Sequence, residues 1–79
     1  MVARVYVLIS AIPGRSPQIA RALMTKPGVV TADLLQGPPD VVMVVEANDE
    51  GKLAELTVKA LASVEKFTEE LHLLPVQTT

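Results

Sequence analysis

Hydrophobic residues fall into six segments along the chain, and their spacing predicts four strands and two helices. Residues 2–10 are rich in Val, Ile and Tyr, which is typical of a strand. After a Pro-Gly break, residues 16–26 keep one face apolar, as in an amphipathic helix. Residues 29–35 and 41–47 predict two more strands, and their short connection makes them an antiparallel hairpin.

The last third of the chain predicts a second helix and a final strand. Asn48 or Asp49 is expected to cap the helix, and residues from about 66 to 76 form the strand. The order is therefore β-α-β-β-α-β. With right-handed crossovers it gives an α+β, ferredoxin-like sandwich, in which two helices cover one face of a four-stranded antiparallel sheet. Residues 1–79 are expected to form a single domain, because the chain is too short for two cores. The predicted apolar stripe of the second helix is Leu53, Leu56, Ala60, Leu61 and Val64.

Residues 41–45 are five consecutive apolar residues, although a strand with one wet face should alternate. Successive side chains of a strand point to opposite faces of the sheet, so both faces are apolar here. The helices cover one face, and an exposed patch of this kind marks an interaction surface. The simplest cover for the other face is a second copy of the chain, sheet against sheet around a two-fold axis. We expect Tyr6, Leu8 and Met43 in that dimer contact.

Composition excludes several classes of function. The formal net charge is −2 and the aromatic residues are one Tyr and one Phe, so neither a basic footprint nor a base-stacking surface for nucleic acid is expected. Without cysteine, and with His72 as the one histidine, no metal site is expected. No cofactor is expected either. The first residues lack signal-peptide features and no apolar run is long enough to span a membrane, so we expect a cytoplasmic protein without membrane contact.

Four segments in this order resemble the effector-binding domain of the Lrp/AsnC family of transcriptional regulators. That domain is called RAM, for regulation of amino-acid metabolism. The resemblance covers nearly the whole chain, and its most specific elements are the Pro-Gly-Val entry to the second strand and the Gly-x-x-Asp turn of the hairpin. The four segments are "VYVLISAIPG", "KPGVVTADLLQGPPD", "EANDEGKL" and "SVEKFTEELHLL".

The resemblance implies a non-catalytic module that binds a small effector, usually an amino acid. Members of the family dimerise through their sheet faces, and the dimers often assemble into rings of eight or ten subunits. Effectors bind between dimers near the hairpin turn. Family members normally carry an N-terminal helix-turn-helix that binds DNA. This chain is expected to be a stand-alone version that lacks the DNA-binding domain. It is expected to form mixed dimers with full-length relatives.

Four residues are expected at the effector site. Gly37 and Asp40 match the Gly-x-x-Asp turn, where glycine permits close backbone approach and the carboxylate can pair with an ammonium group. Phe67 and Glu69 occupy positions on the last strand where many members have threonine. The turn also departs from the family, because two prolines stand between Gly37 and Asp40.

Two alternatives remain open from the sequence. The first is a small enzyme with a cavity between paired sheets, in which His72 and Glu69 are the candidate acid and base. The sequence offers neither residue a second catalytic group to work with, so no catalytic residue is expected. The second is a structural oligomer whose effector pocket has decayed, which Phe67 and the double proline favour. A dry, packed contact between the sheets of two subunits would favour the effector-binding module. A cavity between the sheets that holds a polar group would favour the enzyme.

Overall fold

The computed structural model describes residues 2–76. The elements are β1 (Ala3–Ala11), α1 (Ser16–Met24), β2 (Val29–Leu34), β3 (Val41–Ala47), α2 (Glu50–Ala62) and β4 (Thr68–Pro75), with a 3-10 turn at Glu65–Phe67. Within these residues the strands form one antiparallel sheet in the order β2-β3-β1-β4. The predicted ferredoxin-like sandwich is confirmed.

The start of α2 follows from its capping residue. The carboxylate of Asp49 accepts a hydrogen bond from the main-chain N–H of Lys52 at 2.7 Å, which satisfies a donor that the first turn leaves free. Glu50 in the same turn complements the positive end of the helix dipole. Asp49 is therefore the cap, one of the two residues that the sequence proposed.

The core lies between the sheet and the two helices. Alternate residues of β1 are buried, as the period of a strand requires. Four residues of the predicted stripe lie on α2 and face this core, with Ala60 fully buried and the three leucines partly buried against it. The fifth, Val64, is also fully buried but lies just beyond the end of α2. The largest fully buried side chains are those of Val7, Ile9, Ile19, Leu23, Val41, Met43, Val45 and Val64.

Met43 belongs to this core, so its predicted place in the dimer contact is wrong. The side chain is 0 % exposed and lies in the core cluster. The register places Met43 opposite Val7 of β1 and Ala32 of β2, both of which also face the helices. A side chain buried under the helices cannot take part in a contact on the opposite face of the sheet.

Gly28, between α1 and β2, is held by its backbone conformation and by its neighbours. Its φ is +85°, and an added Cβ would lie 2.6 Å from Leu56 Cδ1 and 3.3 Å from the carbonyl oxygen of Glu46. We expect Gly28→Ala to lower the free energy of unfolding by about 2 kcal/mol, because backbone strain and overpacking add. Gly14, with φ +82° and open space around it, is the matched control. Gly14→Ala should cost about 1 kcal/mol from strain alone. If urea unfolding gives the same loss of free energy for Gly28→Ala and Gly14→Ala, the contact with Leu56 does not add to the cost at Gly28.

Candidate functional site

One face of the sheet is not covered by either helix within residues 2–76, and we call it the open face. The register sets Arg4 against Glu46, Tyr6 against Val44, and Leu8 against Val42. On the other side of β1, Tyr6 lies opposite Leu74, Leu8 opposite His72, and Ser10 opposite Glu70. Thr31 and Asp33 continue the same face on β2. The open face thus comprises Arg4, Tyr6, Leu8, Ser10, Thr31, Asp33, Val42, Val44, Glu46, Glu70, His72 and Leu74.

The centre of the open face is apolar and its margins are polar. Tyr6, on the inner strand β1, remains 38 % exposed, and Leu74, opposite it on the edge strand β4, remains 50 % exposed. At one margin Arg4 Nε donates to Glu46 Oε2 at 2.7 Å, and this bond raises the pKa of the arginine. At another, the Thr31 hydroxyl donates to Asp33 at 3.1 Å. An apolar centre within a polar rim is the composition of a protein interaction surface.

Sequence patterning predicted part of this surface. Tyr6 and Leu8 lie on the open face together, as expected. Leu74 was not predicted. The one residue expected from β3, Met43, faces the helices, and its neighbours Val42 and Val44 face the open side instead. Glu46 could have shown this from the sequence. A charged residue is rarely buried, so Val42 and Val44, which lie on the same side of the strand as Glu46, are the set that faces away from the core.

Asp40 ties the hairpin turn to the end of β1. Its Oδ2 accepts a hydrogen bond from the main-chain N–H of Ala11 at 2.8 Å. Its own N–H donates to the carbonyl oxygen of Ile9 at 2.8 Å, and its carbonyl oxygen accepts from the N–H of Leu35 at 2.7 Å. Three contacts with the backbone show that Asp40 fixes the entry to β3, whatever else the carboxylate binds.

Gly37 and Phe67 have clear structural roles. Gly37 adopts a φ of +75° with open space around it, so it is required by the turn and not by a close neighbour. Phe67 packs partly buried against the core. The guanidinium of Arg15 and the ammonium of Lys66 lie 5.5 and 5.2 Å from the centre of its ring, within the range of cation–π attraction.

The structure brings the predicted effector residues to one end of the sheet. Ala11 donates to Asp40, and the next residue, Ile12, donates from its N–H to the carbonyl oxygen of Phe67 at 2.9 Å. Glu69 is the extra residue of a bulge in β4, between the partners of Ser10 and Ala11. The turn that contains Gly37 and Asp40 therefore lies on one side of β1, and Phe67 and Glu69 lie on the other.

Glu69 also borders a groove between α2 and the start of β4, which we call the α2–β4 groove. Its volume is about 480 Å³ and it opens to solvent. Its apolar lining residues are Val58, Leu61, Ala62 and Leu71, and its polar lining residues are Glu65, Thr68, Glu69 and Glu70.

The two residues considered for acid–base chemistry do not share a site among residues 2–76. His72 lies on the open face, opposite Leu8, whereas Glu69 borders the α2–β4 groove. In the same part of the chain, no group of three or more His, Cys, Asp or Glu residues is placed to hold a metal ion. No helix there is long and apolar enough to cross a membrane.

Comparison with known proteins shows the fold. No family model matches the sequence, and no curated protein matches it. The solved structure of hypothetical protein PHS023 from Pyrococcus horikoshii aligns with a TM-score of 0.85 and 16 % identity over 100 % of this chain and 93 % of that one. The chain has the ferredoxin-like fold of that protein.

Two further solved structures share this fold. TTHA0845 from Thermus thermophilus aligns with a TM-score of 0.83 and 23 % identity, over 98 % of this chain and 95 % of that one. FFRP-DM1 aligns with a TM-score of 0.82 and 15 % identity, over 95 % of this chain and 99 % of that one. In both cases the likeness spans nearly the full length of both chains.

Proposed function

We propose that the chain is a non-catalytic, self-associating module that binds an amino-acid-type effector and modulates transcriptional regulation of the Lrp/AsnC type. The observation that carries the proposal is the open face, with its apolar centre and polar rim. The fold shared with FFRP-DM1 supports it. The Pro-Gly-Val and Gly-x-x-Asp elements of the sequence support it as well.

The partner on the open face is a second copy of the chain. A 79-residue domain has a thin core, and burying Tyr6, Leu8 and Leu74 against the same residues of a partner would add apolar burial that the monomer lacks. A two-fold axis makes such a contact self-complementary. The same face gives full-length relatives a route to mixed dimers.

The effector site is the end of the sheet that holds Gly37, Asp40, Phe67 and Glu69. One oxygen of Asp40 is taken by the N–H of Ala11. The second oxygen, Oδ1, has no hydrogen-bond partner within residues 2–76, and we assign it to the ammonium group of the effector. In a larger assembly, the exposed turn of one dimer would contact a neighbouring dimer at this end of the sheet. An effector bound at that contact would favour one assembly over another, so its binding would change the number of associated subunits.

The test is the light-scattering mass of the purified protein, with and without a mixture of the twenty amino acids. We expect a mass of two chains of 8.4 kDa each, or a multiple of that, and a change of mass when the mixture is added. A mass of one chain in both conditions would refute self-association. An oligomer whose mass does not change when the amino acids are added would refute effector binding. The remaining interpretation would then be a structural oligomer.

A further inference from the structure

The pairing register arranges the residues of the open face in rows that cross the sheet. Leu8 of β1 lies opposite Val42 of β3 and His72 of β4, and Val42 lies opposite Asp33 of β2. One row therefore runs Asp33, Val42, Leu8, His72. Its two inner residues are aliphatic, and each edge strand contributes an exposed titratable residue. The two ends of this row can carry opposite charges.

His72 and Asp33 cannot pair with each other within one chain. Their strands lie at opposite edges of the sheet, three strand spacings or about 14 Å apart. Neither side chain forms an ion pair among residues 2–76. The hydroxyl of Thr31 donates to one oxygen of Asp33, and the other oxygen has no hydrogen-bond partner in the same part of the chain. The opposite charges of these two positions can therefore meet only between two chains.

An axis parallel to the strands is one of two ways in which a two-fold axis can set the open face against its own copy. Placed through the middle of the face, this axis keeps every residue at its height along the strands and exchanges the two edges. β4 of one chain then lies over β2 of the other, and β1 lies over β3. Because His72 and Asp33 belong to the same row, His72 comes to lie over Asp33 of the partner subunit.

The same axis also matches the other rows of the open face. Tyr6 comes over Val44 of the partner subunit, so that two apolar groups meet. Arg4 comes over Glu46 of the partner subunit, so that opposite charges meet. These rows place no like charges against each other, and like charges are what a specific interface avoids.

An axis across the strands, the other possibility, fits the charges less well. It sets each strand over its own copy, so that Asp33 meets a strand that has no cation between residues 29 and 34. It can offer His72 a carboxylate only in Glu70 of the partner subunit, and then only from a position near Ser10, at the end of β1. An axis at that end would leave Tyr6 uncovered.

We propose that the dimer has its two-fold axis parallel to the strands and that His72 of each chain forms an ion pair with Asp33 of the partner subunit. Packed sheets lie about 10 Å apart, a distance that these two side chains span together. The inference rests on the proposed function and deepens it by stating how the second copy lies on the open face.

The ion pair makes the dimer sensitive to pH. The imidazolium form of His72 is needed for the pair, so the dimer binds more protons than two separate chains do. The dimer therefore tightens as the pH falls through the range in which histidine titrates, about pH 8 to 5. Histidine is the one side-chain type on the open face that ordinarily titrates in this range. The other groups that can carry charge there are Arg4, Tyr6, Asp33, Glu46 and Glu70.

The test is the dissociation constant of the dimer, measured by light scattering across a dilution series at about pH 8 and about pH 5.5. We expect the constant to be about ten-fold lower at the acidic pH, because symmetry provides two partly screened ion pairs. Asp33→Asn and His72→Gln should each remove this difference while the dimer still forms at the higher pH. An unchanged pH dependence in Asp33→Asn would overturn the proposal.

Glu70→Gln is the matched control. It removes a carboxylate from the same face of β4, two residues from His72, and should leave the pH dependence intact. Loss of the pH dependence in Glu70→Gln but not in Asp33→Asn would assign the axis across the strands and refute the proposed pair. A dimer with equal dissociation constants at both pH values refutes this arrangement and leaves the proposed function standing. A mass of one chain at both pH values refutes both.

Discussion

Replacing Leu74 by glutamate should separate the proposed dimer into single folded chains. Leu74 lies on the open face, on the edge strand β4 opposite Tyr6, and is 50 % exposed in the isolated chain. A carboxylate at this position meets water in the monomer, whereas in the dimer it would be buried without a partner. Two-fold symmetry introduces the charge twice. We expect the dissociation constant of the dimer to rise at least about 100-fold, measured by light scattering across a dilution series.

Leu73 provides the matched control for this experiment. It is the preceding residue of the same strand, is 47 % exposed, and points to the helix side because it lies opposite the buried Val7. Leu73→Glu therefore adds the same charge to the same strand on the other face. The dimer should survive it. Dissociation by both variants, or by neither, would show that the open face is not the contact.

Replacing Asp40 by alanine should destabilise the fold, while asparagine should largely preserve it. Alanine leaves the N–H of Ala11 without its acceptor, at a cost of about 2–3 kcal/mol in the free energy of unfolding. In a domain of this size, that loss lowers the midpoint of thermal unfolding by roughly 10 °C or more. Asparagine retains an acceptor oxygen, so Asp40→Asn should cost less than about 1 kcal/mol.

The same pair of variants separates structure from binding at Asp40. Asp40→Asn removes the charge proposed to meet the effector's ammonium group, so it should abolish the change of mass caused by amino acids while the protein stays folded. Circular dichroism shows whether the variant stays folded, and light scattering shows whether amino acids still change its mass. If Asp40→Asn responds to amino acids like the unmodified protein, the carboxylate has a structural role and the effector binds elsewhere.

The fold was predictable because each local signal agreed with the others. Pro-Gly breaks separated the segments, Asp49 marked the start of α2, and the apolar spacing assigned helices and strands. The predicted hairpin, residues 29–35 and 41–47, matches β2 and β3 to within one residue. The final strand was placed slightly early, because residues Glu65–Phe67 form a 3-10 turn, which strand patterning does not reveal.

The candidate site was less predictable, because it depends on register. A run of five apolar residues fits the core with either alternate set, so Met43 and Val44 were equally good choices from composition alone. The pairing of Tyr6 with Val44 decides between them. The hydrogen bond from Ala11 to Asp40 joins residues 29 positions apart, and no local pattern encodes such a contact.

The alternation along β1 separates folding from partner choice. Val5, Val7 and Ile9 are committed to the core, while Tyr6 and Leu8, the residues between them, touch neither helix face. Substitutions at Tyr6 and Leu8 would therefore change the proposed contact between subunits while leaving the core of each chain intact. If the proposed dimer forms through this face, a duplicated copy of the chain would need few such changes to stop pairing with its parent. One strand thus carries, at alternate positions, the residues that form the core and the residues that would choose the partner in the proposed dimer.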